Sequence, residues 1–202
     1  MSRGSLKSFL PLMYPKPLYL ELLHFHPSEE TLRTLERCVL RSRSYQEDLE
    51  FLLSHSNWRF QLLGCSALSA VQPTPTMIGP VWAAFDRGSW ISPQLVATAC
   101  CCDPDFIAHA SDRISRATIV LADREPVTPP ATTPGAPALK LEPKAFFALA
   151  GLLLHEPGDD SRVDERIAEF RIQAVWAEDR ASDDGERIAT SWLGLVREAR
   201  LR

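Results

Sequence analysis

Two short segments carry the side chains with which this chain could do chemistry. His24-Phe25-His26 sets two imidazoles two residues apart, with Glu21, Glu29 and Glu30 close by in sequence. In an extended segment the imidazoles share a face, and Zn²⁺ accepts such ligands. No second cluster supplies the remaining ligands at a recognisable spacing, so the plainer reading is two loop histidines ahead of a helix. Cys100-Cys101-Cys102 is followed by Asp103, Asp105 and His109. A catalytic thiolate needs a base within hydrogen-bond reach and electropositive surroundings. Three cysteines that end a helix among small apolar neighbours read more simply as core packing. The chain has no glycine-rich phosphate loop, Ser-His-Asp signature or paired-carboxylate motif. We therefore expect no catalytic residue, no metal ligand and no cofactor. An enzyme using an inter-helix pocket with His24, His26 or His109 is kept as the alternative.

The elements that would position any site are set by a repeat. Asn57-Trp58-Arg59-Phe60-Gln61-Leu62-Leu63-Gly64-Cys65-Ser66-Ala67 is matched by Ser89-Trp90-Ile91-Ser92-Pro93-Gln94-Leu95-Val96-Ala97-Thr98-Ala99 at an offset of 32 residues. Leu63 then falls on Leu95 and Ala67 on Ala99. A period of this length marks stacked supersecondary units. Asn57 or Ser56 can cap a helix from Trp58 to about Val71, stopped by Gln72-Pro73-Thr74-Pro75. A second helix over Thr76–Asp86 stripes Met77, Ile78, Val81, Trp82 and Phe85, and Gly88 ends it. Ser92 and Pro93 give the next helix a cap and a first residue. Asp103-Pro104 opens another helix, lined by Phe106, Ile107, Ala110 and Ile114. Each unit is thus an antiparallel helix pair. Trp58, Trp82, Trp90 and Phe85 are expected to pack between units. An aromatic platform formed by Trp58 and Trp90 is the other possibility.

Residues 1–17 read as irregular. Leu18–Phe25 reads as a turn or two of helix, and Ser28 as the cap of a helix striped by Leu32, Leu35 and Val39. A further helix over Tyr45–His55 carries Leu49, Leu52 and Leu53. Six prolines between Glu125 and Pro143 predict a loop or linker over 125–143 without regular structure. The segment Phe146–Leu154 is apolar all round and predicts a buried helix. Amphipathic helices over Val163–Glu178 and Gly185–Arg200 complete a C-terminal part, 144–202, packed on the same core. The whole, 1–202, is read as one all-α domain of helix pairs stacked as a short α-solenoid.

Asn57-Trp58-Arg59 followed by Met77-Ile78-Gly79-Pro80-Val81-Trp82-Ala83-Ala84-Phe85-Asp86 resembles a HEAT-type repeat over about residues 45–115. The second unit departs from that pattern, with Ile91 in place of the arginine and Pro93 inserted in register. The resemblance implies a scaffold that binds proteins, and it implies no chemistry.

Charge bears on the partner. The net charge of −4 gives no global basic field and makes nucleic acid an unlikely partner. Arg33, Arg37, Arg41 and Arg43 would be its only basic helix, and Glu29, Glu30 and Glu36 interrupt them. From Glu156 to Glu186 there are 11 acidic residues against four arginines, a local charge of −7. Asp159, Asp160, Asp183 and Asp184 fall in expected turns there and are candidate contacts for a basic partner protein. An odd number of cysteines, five, argues against a disulfide framework. No signal peptide or membrane-length apolar run is read, so no membrane partner is expected and the cytoplasm is the expected location. The function expected is a protein-interaction module, a scaffold or adaptor, with an immunity-type binder as one form of it.

Overall fold

The computed structural model describes residues 8–71, 74–119, 138–155, 164–165, 167–168 and 181–200. Helices dominate: α1 (Tyr19–Leu23), α2 (Glu29–Arg41), α3 (Tyr45–Ser54), α4 (Trp58–Ser69), α5 (Pro75–Asp86), α6 (Ser92–Cys102) and α7 (Phe106–Arg116). Two short strands, β1 (Ala117–Ile119) and β2 (Leu139–Leu141), then pair in parallel, and α8 (Pro143–His155) and α9 (Ala181–Arg200) follow. The fold class is all-α, made of packed helix pairs: α3 lies on α4 and α5 on α6, and the pairs meet through α3–α5 and α4–α6.

Local chemistry accounts for most boundaries. The Ser28 side chain accepts the Thr31 N–H at 3.3 Å and caps α2. Asn57 accepts the Arg59 N–H at 3.0 Å and caps α4. Gly88, at φ 77, adopts the left-handed conformation that lets the chain leave α5. Pro143 opens α8, where its missing N–H costs nothing.

The core is centred on α6. Every residue from Ser92 to Ala99 is buried, and α6 touches α4, α5, α8 and α9. Its small side chains let four helices close around it. The repeat partners Leu63 and Leu95, and Ala67 and Ala99, are all fully buried on the facing helices α4 and α6. Helix α8 is buried from Ala145 to Leu153. It meets α9 so closely at Gly185 that any Cβ there would overlap the Lys144 carbonyl oxygen. Deep in the core, Trp192 of α9 donates its Nε1–H to Thr98 Oγ1 at 3.0 Å, across 94 residues of sequence. Thr98 Oγ1 in turn donates to the Gln94 carbonyl at 2.7 Å.

Several expectations change. The N-terminal segment is not wholly irregular: Leu10–Leu12 form a 3₁₀ turn, and Phe9 and Leu12, three apart on it, are core residues. Leu139–Leu141 fall in the proline-rich segment expected to be structureless, yet they pair with β1 because no proline interrupts those three residues. The buried face of α2 is Thr31, Thr34, Leu35 and Cys38, one step round from the expected Leu32 stripe. Asp183 and Asp184 lie within the first turn of α9, not in a turn before it, where the helix dipole favours them. The turn at Gln72-Pro73, residues 125–137 of the expected linker, Asp159 and Asp160, and most of the helix expected over Val163–Glu178 lie outside the described residues.

Replacing Thr98 by Val keeps its shape and removes the acceptor for a buried indole N–H. Leaving that donor unpaired is expected to cost about 1–3 kcal/mol, read as a shift of the urea midpoint. An unchanged midpoint would show that the bond contributes nothing.

Candidate functional site

Two groups of polar and aromatic side chains stand out, and neither is at the N-terminal histidines. His24 and His26 are both exposed, on either side of Phe25, whose backbone is left-handed at φ 61 while its ring packs edge-on to Trp192 at 6.3 Å. Glu21 does not turn to them. It accepts from the Ser28 N–H at 2.9 Å and from Thr31 Oγ1 at 2.6 Å, and the Ser28 hydroxyl first, then Thr31 and the Ser28 N–H, hold its carboxyl down at about 2. No group of three or more potential metal ligands gathers among the described residues.

The first group is built on α5 and α7. The turn between α6 and α7 buries Asp103, whose Oδ2 accepts from Trp82 Nε1 at 2.6 Å and from His109 Nδ1 at 2.7 Å. Its Oδ1 accepts the Asp105 N–H at 2.9 Å. Burial by itself raises the Asp103 carboxyl, but the bonds from His109, Trp82 and the Asp105 N–H outweigh it and hold the carboxyl below its ordinary value. An ionised Asp103 requires Nδ1–H on His109, which leaves Nε2 as the basic nitrogen of a neutral ring. Beside it, Arg113 makes a two-pronged pair with Asp86, both bonds 2.8 Å, and stacks its guanidinium 4.1 Å over Trp82.

An imidazole oriented by a buried carboxylate is half of a general-base arrangement. His109 makes no other side-chain hydrogen bond among the described residues. A cavity of about 420 Å³ lies between α2, α4 and α9, over Leu22, Leu35, Trp192 and Val196. The Asp103 group ties Trp82 and Asp86 of α5 to His109 and Arg113 of α7 and so braces the two helices. The thiols add no nucleophile that the geometry singles out. Burial pushes Cys38 up to about 11 and Cys65 up to about 12. Cys102 is buried, and Cys100 and Cys101 are half-buried.

The second group lies on the surface. Trp82 and Phe85 are buried as packing residues, whereas Trp90 is 56% exposed. Trp90 meets Trp58 of the preceding unit but is not the buried core residue expected there. Helix α6 begins two residues after Trp90, and the Ser92 hydroxyl and N–H bond back to the Ser89 carbonyl at 2.5 and 3.0 Å. That tight turn gives the core position to Ile91, which is fully buried, and leaves Trp90 outside. Trp90 packs against Trp58, with centroids 5.0 Å apart and the ring planes tilted by 51°. Each ring carries a cation: Arg59 4.6 Å over Trp58 and Lys144 4.9 Å over Trp90. Tyr19 abuts Trp58 at 6.1 Å and accepts from Arg59 Nε at 3.0 Å. The motif Asn57-Trp58-Arg59 pointed to half of this patch. Lys144, brought in by α8, could not be found from sequence. Of the four expected partner contacts, only Asp184 has a described side chain; it is exposed and bonds Arg187 at 2.8 Å.

Asp103→Asn would turn an acceptor oxygen into a donor facing the Trp82 or His109 N–H, at an expected cost of about 2–3 kcal/mol. The sign with pH follows from the lowered carboxyl. Its stabilisation is complete above the unfolded value near 3.8 and is lost as pH falls through the folded value. Urea midpoints measured from pH 7 to pH 2 should fall less steeply in Asp103→Asn than in the parent; identical slopes would contradict the brace. Cys38 and Cys65 should resist alkylation in the folded protein at pH 8, since their thiols sit at about 11 and 12. Rapid labelling of either in a peptide map would contradict their burial. Compared with protein-family models, curated proteins and solved structures, the chain matches none, and its function rests on the geometry above.

Proposed function

We propose that this chain is a protein-interaction module, a short HEAT-like α-solenoid used as a scaffold or adaptor, and that its contact surface is the Trp58–Trp90 patch. The observation that carries the reading is a tryptophan left 56% exposed on a second tryptophan, with a cation on each ring. Tryptophan and arginine are the side chains that most often dominate binding energy at protein interfaces. An exposed indole already held by packing loses little freedom when a partner covers it. The solenoid arrangement is supported by the two successive antiparallel pairs, α3–α4 and α5–α6, and by the in-register burial of Leu63 with Leu95 and Ala67 with Ala99.

Recruitment of a basic partner by Asp159, Asp160, Asp183 and Asp184 has less behind it, because Asp184 already spends its carboxylate on Arg187. A cytoplasmic location suits Cys38 and Cys65, which are free buried thiols. No helix among the described residues is long and apolar enough to cross a membrane.

Trp90→Ala separates contact from packing. We expect a loss of only about 0.5–1.5 kcal/mol, the worth of one aromatic pair, and so a melting temperature lower by a few degrees. Proteins captured by the parent chain from its own cell extract should be lost by this variant. Full retention of every captured protein would refute the reading. So would a collapse of the fold, which would make Trp90 a core residue.

A further inference from the structure

We infer that the occupant of the Trp58–Trp90 patch is an acidic protein segment that carries an apolar side chain beside its carboxylates. The inference rests on the reading of the chain as an interaction module and names the chemistry of its partner.

The patch carries two cations with no carboxylate at ion-pair distance among the described residues. Arg59 spends Nε on the Tyr19 hydroxyl and makes no ion pair within 4 Å among the described residues. Lys144 reaches the Trp90 carbonyl only weakly, at 3.4 Å, and likewise has no ion pair among them. Burial holds Lys144 below its ordinary value, with Asp184 and Glu142 opposing that shift from beyond ion-pair distance. Several other cations have a carboxylate partner, whereas Arg37 and Arg87 bond only hydroxyl or carbonyl oxygens among the described residues. Arg33 bonds Glu29, Arg113 bonds Asp86, Arg116 bonds Asp112 and Arg187 bonds Asp184. The ring beneath Arg59 and the ring beneath Lys144 restrict each cation without neutralising it, so the positive charge is held ready at low entropic cost. A carboxylate brought to Lys144 or Arg59 would regain the solvation lost against the indoles, and an apolar side chain beside it would cover the open face of Trp90.

Single-stranded nucleic acid also stacks on tryptophan and pairs with cations. It presents a phosphate at every nucleotide and needs a basic track. This chain has a net charge of −4, and Asp184 and Glu142 already act on Lys144. Two cations fit one or two side-chain carboxylates better than a strand of phosphates.

The probe is a randomised peptide library selected on the full chain, with Trp90→Ala as counter-selection. Selected peptides should be rich in Asp and Glu around a Leu, Phe or Trp. The best of them should bind roughly tenfold more weakly to the Arg59→Gln, Lys144→Gln double variant, as expected for two partly exposed ion pairs. Should that variant not fold, the parent's dissociation constant read against salt serves instead; it should rise steeply, and an affinity indifferent to salt overturns the inference. Peptides without acidic bias that still require Trp90 overturn the acidic occupant and leave the module reading standing. No enrichment that depends on Trp90 overturns both. A twelve-residue oligothymidine that displaces the peptides in a Trp90-dependent way makes the occupant nucleic acid and also overturns the inference.

Discussion

Helix α6 has no solvent face along most of its length, and that sets the terms for everything around it. A helix buried on all sides cannot carry large side chains on every face, so Val96, Ala97 and Ala99 stay small and α4, α5, α8 and α9 close on it. Its polar groups must also find partners inside the protein. Thr98 does so twice, donating to the Gln94 carbonyl and accepting from the Trp192 indole. That second bond makes the C-terminal helix part of the same core as the helix pairs. The close crossing of α8 and α9 at Gly185 is a further consequence of four helices sharing one buried neighbour.

Around this core the aromatic side chains divide by what their polar atoms and neighbours allow. Trp82 and Trp192 are buried, and each indole N–H has an internal acceptor, Asp103 in one case and Thr98 in the other. Around Trp82 the acceptor is a carboxylate, which brings in His109, while Arg113 and Asp86 add a second pair beside it. The result joins α5 to α7 through charged bonds that run from buried Asp103 out to half-exposed His109. Trp58 and Trp90 are placed differently. They meet at the surface, gather cations instead of carboxylates, and leave one indole face to solvent. The first cluster is tied across two helices by hydrogen bonds and ion pairs, with His109 half exposed at its edge; the second is open to solvent at Trp90.

How much of this could be read beforehand differs from element to element. Helices α3 to α7 were legible because prolines and apolar stripes are local signals that act over a few residues, although Ser92 and Asp103 do not cap α6 and α7 as expected: Ser92 is already in its helix and α7 starts at Phe106. The all-round apolar run in α8 announced its burial for the same reason. The β1–β2 pair was not legible, since three-residue strands carry no periodicity and their pairing joins residues more than 20 apart. The N-terminal prolines masked the 3₁₀ turn that carries Phe9 and Leu12 into the core. The brace was invisible for a related reason: Asp103, His109 and Arg113 are neighbours in sequence, but Trp82 and Asp86 come from another helix, α5.

By itself the sequence determined the helical class, most helix limits and the buried character of α8, because propensity and hydrophobic period are properties of short windows. Tertiary structure alone decided which of the repeat's tryptophans faces water. In the alignment Trp58 and Trp90 are equivalent. In space a serine turn at Ser89–Ser92 hands the core position to Ile91, and α8 carries Lys144 to the ring left outside. Exposure and charge pairing depend on what other segments bring alongside, and no short window of sequence contains that.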